Sequence, residues 1–233
     1  MIPIILTGTI LPNSIIVVHH DWEKRRQDYI YAIRYYRQFS NKLYFIENSD
    51  YDLAHDSAFC TTEGFRAIQY KKSRYYERGK GYQEFEMLDN FVKNDLQEDC
   101  FVKITGRYIY KNFSSILAAV SKDKKKYELI IDSFVRLKTA ITAIFYVNKS
   151  VYLNRLNGLY LNIDDSVNVY AEHVIYNNLS NVNHTFFATV PILNAISGST
   201  GQIMMTNENF LKISLKNTQR KCFRALNIRQ LLK

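Results

Sequence analysis

Several short apolar runs of this 233-residue chain end in polar residues suited to binding and transferring groups: Thr7-Gly8, Glu47-Asn48, Thr105-Gly106-Arg107 and Asp132. In open α/β sheets, ligands collect beyond the carboxyl ends of the strands. Any one of these endings could be an ordinary turn, but four together read as a site. A second signal is the stretch Glu77-Arg78-Gly79-Lys80-Gly81-Tyr82. Glycines flanking a lysine ahead of a helix let backbone N–H groups and an ammonium approach a phosphate. Neither GxxxxGK followed by Ser or Thr nor GxGxxG is present, so a solvated turn competes with that reading. Other chemistries find less support. His19, His20, His55, His173 and His184 lack the HExxH spacing of a zinc hydrolase, and Gly198-Ser199-Thr200-Gly201 lacks the GxSxG elbow of a serine hydrolase.

The elements that must position these residues follow from hydropathy patterning. Residues 3–8 read as a short buried strand ending at a glycine, and 15–19 as a second apolar run. Residues 21–39 read as a helix with Asp21 as N-cap and Tyr29, Ile30, Ile33 and Tyr36 on one face. A strand over 42–47 follows. The pattern then predicts a helix over 83–93, a strand over 100–104, a helix over 114–120 and a strand over 127–131. Residues 140–147 fit either a strand or a buried helix, and 167–179 a helix carrying Glu172. Strand–helix–strand order opens an α/β fold with a mostly parallel central sheet flanked by helices. No linker or repeat interrupts the chain, so the reading is one domain over 1–215 and a basic amphipathic tail over 216–233.

Composition narrows the partners. With 47% apolar and 23% charged residues the chain has ample core material. Eighteen tyrosines suit stacking against sugars or bases, though AT-rich codon usage yields the same count and the tyrosines alone decide nothing. Cys60, Cys100 and Cys222 have no CxxC spacing, which fits a reducing compartment rather than a disulfide framework or zinc site. No signal peptide and no membrane-spanning run is visible, so a cytoplasmic protein is expected, peripheral on the inner face of the membrane. The net charge of +9 calls for an anionic partner: nucleic acid, an anionic membrane or a diphosphate-bearing substrate. From Lys216 to Lys233 six basic and no acidic residues accompany Phe223, Leu226 and Leu231 at helical spacing. That tail reads equally as a membrane-surface helix or as a terminal helix docked on the domain.

Taken in order, Leu6-Thr7-Gly8-Thr9-Ile10, Phe45-Ile46-Glu47-Asn48-Ser49, Gly79-Lys80-Gly81-Tyr82 with Glu84, Lys103-Ile104-Thr105-Gly106-Arg107-Tyr108 and Ile131-Asp132-Ser133 form a recurring set. The set resembles small bacterial glycosyltransferases of capsule and lipopolysaccharide O-antigen loci, with a GT-A-like, Rossmann-like fold. The similarity runs from about residue 4 to 201, and the Thr-Gly-Arg-Tyr strand end is its most distinctive part. The resemblance implies a nucleotide-sugar donor, a UDP-sugar, with Thr7 and Gly8 along the nucleotide and Glu47 and Asn48 at the base or ribose. Where that fold usually carries an Asp-x-Asp metal motif, this chain has Thr105-Gly106-Arg107. A divalent metal (manganese or magnesium) is left open, with no well-placed motif. The literal Asp50-Tyr51-Asp52 lies one strand too early and reads as a loop, and Asp164-Asp165 read as caps of the helix bearing Glu172.

A nucleoside diphosphate leaving group develops charge that a guanidinium can stabilise. Arg107, helped by Lys80 and Gly81, is expected in that role, and a structural pair with a carboxylate such as Asp132 is the competing reading. Asp132 and Glu172 are the expected bases for an acceptor hydroxyl. Arg136 is expected to hold Asp132 or an acidic acceptor, and the 197–201 loop with Ser199 to close near the donor. The expected acceptor is a glycan or lipid-linked saccharide at an anionic membrane surface. Two other classes compete: a nucleic-acid-binding protein, which no recognition signature supports, and a non-catalytic component of a polysaccharide-assembly complex. No nucleic acid is expected.

Overall fold

The computed structural model describes residues 1–13, 20–196, 203–206 and 209–232. The 15–19 run, the 197–201 loop with Ser199, and Lys233 lie outside the described residues.

Strand β1 (Ile4–Gly8) is buried along its whole length, as a continuous apolar run demands. Helix α1 (Trp22–Tyr36) starts where Asp21 caps it, its side chain accepting from the Lys24 N–H at 3.1 Å. Strands β2 (Leu43–Glu47) and β3 (Phe65–Gln69) follow, then helix α2 (Lys80–Asn94) and strand β4 (Cys100–Thr105). Next come β5 (Ile109–Tyr110), α3 (Phe113–Asp123), β6 (Leu129–Ile130), β7 (Ser133–Phe134), β8 (Thr139–Ala140) and β9 (Ile144–Asn148). Helix α4 (Lys149–Val151) runs into a π-turn (Tyr152–Leu156), and α5 (Ala171–Asn177) precedes β10 (His184–Thr185). The chain continues through β11 (Leu193–Ile196), β12 (Ile203–Met205) and α6 (Phe210–Ala225).

Seven strands form the main sheet in the order β10-β6-β9-β4-β1-β2-β3. All its pairings are parallel except the two made by β9 with β4 and β6. The fold is therefore α/β and Rossmann-like, with a mostly parallel sheet flanked by helices. Alternation along the strands divides the core between the faces. Ile4 and Leu6 join Tyr29, Ile33, Phe113 and Ile116 on the α1–α3 side. Ile5 joins Phe85, Leu88, Phe91 and Phe145 on the α2 side. By the same alternation Thr7 points toward α2, and it is Glu84 of that helix that its hydroxyl reaches.

Two expected elements are corrected, and a third, open between strand and helix, is decided. Helix α2 begins at Lys80, not at Gln83, because Gly79 stands as its N-cap at φ 96° and turns the chain directly into the helix. The helix expected over 167–179 is only Ala171–Asn177, since Asn168 takes a left-handed conformation (φ 62°) that ends a preceding 3₁₀ turn. The 140–147 run resolves into a strand, fully buried over Ile144–Val147 and hydrogen-bonded on both edges.

The C-terminal segment packs onto the domain at specific points. Helix α6 starts at Phe210, before the boundary expected at 216, with Asn209 as its cap. Arg220 and Arg224 reach Asp132 and Asp123, and the Leu231 N–H donates to the Ser133 carbonyl at 2.8 Å. Leu211 and Leu215 on the opposite face are exposed, as is Phe210 at the start of the helix.

Candidate functional site

The chain runs outward from β1 through β2 to β3, then returns to place β4 on the other side of β1. This reversal is a topological switch point, where neighbouring loops leave in opposite directions and open a crevice. A cleft of about 330 Å³ lies there, lined from the strand ends by Thr7, Gly8, Thr105 and Arg107 and from the helices by Lys80, Gly81, Glu84 and Glu172. Seven of the expected site residues therefore meet in one place: Thr7, Gly8, Lys80, Gly81, Thr105, Arg107 and Glu172.

The floor of the cleft is a charged network. Lys103, in the middle of β4 and without solvent exposure, donates to Glu84 at 2.6 Å, to the Thr105 hydroxyl at 3.0 Å and to the Thr142 carbonyl at 2.9 Å. The hydroxyls of Thr7 and Thr105 also donate to Glu84. Burial works to raise the Glu84 carboxyl, but the Lys103 ammonium and these hydrogen bonds outweigh it and hold the group below its ordinary range. Glu84 is thus a fixed carboxylate at the mouth of a buried ion pair. The sequence shows both residues inside the recurring motifs, but their pairing depends on the contact between α2 and β4.

Arg107 sits in the turn after β4, largely buried, with Nη1 3.7 Å from Asp28 and its guanidinium 5.9 Å from the Tyr29 ring centroid. Gly106 makes that turn possible. Its N–H donates to the Thr7 carbonyl at 2.8 Å, and an added Cβ would stand 2.6 Å from the same oxygen. The loop after β1 is clamped by α1, whose Arg25 side chain donates to the Thr9 carbonyl while the Tyr29 hydroxyl accepts from the Thr9 N–H.

The start of α2 is closed by a distant side chain. Asp165 accepts from the Gly81 N–H at 2.9 Å, so it caps this helix and not the one bearing Glu172. Burial raises the Asp165 carboxyl despite that hydrogen bond. Asp164 instead caps its own 3₁₀ turn through the Ser166 N–H. Glu172 accepts from the Thr142 hydroxyl at 3.1 Å on the β9 side of the cleft.

The remaining expected site residues are placed elsewhere. Asp132 is buried in a two-pronged pair with Arg220 (2.8 and 2.7 Å) and also accepts from the Phe187 N–H, which commits its oxygens to the α6 junction. Asp132, expected as a base, is instead held by Arg220, and the carboxylate beside Arg107 is Asp28, not Asp132. Arg136 lies exposed in the β7–β8 turn, and it is Arg220 that holds Asp132. Glu47 and Asn48 do not line the cleft. Glu47 is fully buried and accepts from the Ile10 and Ser49 N–H groups and from Gln69. Asn48 joins the Thr9 hydroxyl to the Gln83 carbonyl, and so braces the wall from behind. Asp50 pairs with Lys72 and Asp52 with His55, on the loop after β2. Among the described residues no group of three His, Cys, Asp or Glu side chains is arranged to hold a metal ion.

No family model matches the chain, and no curated protein does. Among solved structures it is similar to CMP:2-keto-3-deoxy-manno-octonic acid synthetase complexed with CTP. The identity is 10%, over 67% of this chain and 77% of that one, with a TM-score of 0.42. At that level the likeness identifies neither substrate nor reaction.

Proposed function

We propose that the protein is a glycosyltransferase of the hexosyltransferase type. It moves a sugar from a nucleotide-sugar donor, a UDP-sugar, to a lipid-linked or oligosaccharide acceptor in capsule or lipopolysaccharide assembly. The observation that carries this reading is the composition of the switch-point cleft. Three cations, Arg25, Lys80 and Arg107, and three carboxylates, Glu84, Asp165 and Glu172, line one crevice beyond the strand ends.

In this account Arg107 and Lys80 bind the diphosphate and stabilise the negative charge that grows on it as the anomeric C–O bond breaks. Glu172 takes the proton of the acceptor hydroxyl while that oxygen forms the new bond to the anomeric carbon. Glu84 remains ionised and serves to position, holding the Thr7 and Thr105 hydroxyls at the strand ends. Residues 1–215 would form the catalytic domain, and the basic C-terminal segment would bring it to a membrane surface carrying the acceptor.

Turnover tests the reading. Incubation with UDP-hexoses and a lipid-linked oligosaccharide should release UDP and lengthen the acceptor. A nucleotidyl transfer in the same cleft would instead consume a nucleoside triphosphate and release pyrophosphate, and that product would replace the proposal.

A further inference from the structure

Buried polar atoms in folded proteins almost always have a hydrogen-bond partner, and an orphan calls for an explanation. Among the described residues four buried side-chain atoms have none: Asn13 Nδ2, Gln83 Oε1, Ser133 Oγ and His184 Nε2. Two of these four, on Asn13 and Gln83, belong to residues that line the switch-point cleft.

Gln83 is only 4% exposed, and its orientation is set by its surroundings. Nε2 faces two carbonyls, those of Gly79 at 3.2 Å and Tyr76 at 3.4 Å, which leaves Oε1 as the unpaired end. Its backbone carbonyl accepts from Asn48 Nδ2 at 3.0 Å, so Gln83 lies on the β2 side of the cleft. Glu172 and Thr142 lie on the β9 side, across the width of β1 and β4. The loop after β1 is tied to Gln83 through Asn48, which accepts from the Thr9 hydroxyl, and Asn13 farther along that loop lines the same cleft. The cleft therefore offers, on the residues that line it, a buried acceptor and a buried donor without partners beside its cations and carboxylates.

We infer that Gln83, with Asn13, reads the base of the nucleotide. Its Oε1 accepts from a ring N–H, and Asn13 Nδ2 donates to a neighbouring carbonyl oxygen. Uracil, with N3–H beside O4, and guanine, with N1–H beside O6, both present such a pair, and we assign uracil in keeping with the UDP-sugar reading. The inference rests on the nucleotide-sugar reading above and deepens it by naming the residues that select the base. An unpaired buried acceptor penalises a ligand that lacks the matching N–H, which is how such a site discriminates.

Calorimetric titration tests this with four ligands: UDP, N3-methyl-UDP, CDP and pyrophosphate. The wild-type protein should bind UDP about 10- to 100-fold more tightly than N3-methyl-UDP, and more tightly than CDP. Gln83→Leu should weaken UDP by a similar factor, remove the discrimination against the methylated base, and leave pyrophosphate affinity unchanged. Equal binding of UDP and N3-methyl-UDP by the wild type would overturn the assignment. So would a preference for CDP, or discrimination that survives in Gln83→Leu and is therefore steric. Each of those results leaves the nucleotide-sugar reading intact, whereas a protein that binds no nucleotide overturns both.

Discussion

Lys103 is an ammonium without solvent contact in the middle of a central strand, beneath the Phe85 and Phe145 rings. Such a charge is stable only while its partner holds it, and removing one partner of a buried pair costs more than the pair contributes. Glu84→Gln should therefore lower stability by about 3 kcal/mol in urea unfolding. Lys103→Met, which keeps the volume and leaves Glu84 two hydroxyl donors, should cost clearly less. Equal losses in the two variants would contradict this description of the network. A second buried carboxyl carries a pH signature. Burial pushes Asp89 up to about 6, against the hydrogen bonds from the Gly158 N–H and the Tyr152 hydroxyl. The folded state then binds that proton more tightly than the unfolded chain. Its contribution to stability is complete below pH 3.8 and is lost as pH rises through about 6. The stability of the wild type relative to Asp89→Asn should accordingly grow by up to about 3 kcal/mol between pH 7 and pH 4. A difference independent of pH would show that Asp89 does not titrate in this range.

Helix α2 supplies five cleft residues, four of them between Lys80 and Glu84, so its start governs the site. Gly79 stands at φ 96°, and an added Cβ would lie 2.5 Å from the Asp165 side chain. Gly79→Ala combines backbone strain with displacement of the aspartate that caps the helix. The expected outcome is a loss of about 2 kcal/mol in thermal unfolding, with a weaker donor complex. An unchanged Tm would mean that the cap is dispensable. This element also shows what the sequence conceals. Asp21 announces the start of α1 because cap and helix are adjacent in the chain. The cap of α2 comes from Asp165, 84 residues on, and no local pattern could reveal it. Likewise Asn168 gives no sign in the hydrophobic period of 167–179 that it will take a left-handed turn. The 140–147 run was ambiguous for a different reason: a strand buried on both faces loses its alternation and reads like a buried helix. The strand ends were legible because polar residues after apolar runs mark where a parallel sheet stops. The division among Arg107, Asp132 and Arg220 was not, since it depends on where α6 docks.

At the scale of the whole molecule, the strand reversal between β1 and β4 brings residues from positions 7 to 172 into one cleft. The C-terminal segment is fixed beside the end of β6 through the Asp132–Arg220 pair. Helix α6 docks on the domain through Arg220 and Arg224, while Leu211 and Leu215 on its opposite face, and Phe210 at its start, are exposed among lysines. Among the described residues no helix is long and apolar enough to cross a membrane, so a surface contact is the form that membrane attachment by α6 would take. The wild type should co-sediment with anionic but not neutral vesicles. Leu211→Glu with Leu215→Glu, which leaves the Asp132–Arg220 pair in place, should abolish that binding. Equal sedimentation of the two proteins would remove the membrane from the account.

The central claim is that Arg107 holds a nucleoside diphosphate in the switch-point cleft. Its most direct test is calorimetric titration with UDP, CMP and GDP, first in EDTA and then with manganese, using the wild type and Arg107→Ala. The account predicts that UDP binds in the presence of EDTA, and that the variant loses about a hundredfold in affinity while remaining folded. No binding by the wild type, or binding that Arg107→Ala leaves unchanged, would contradict it.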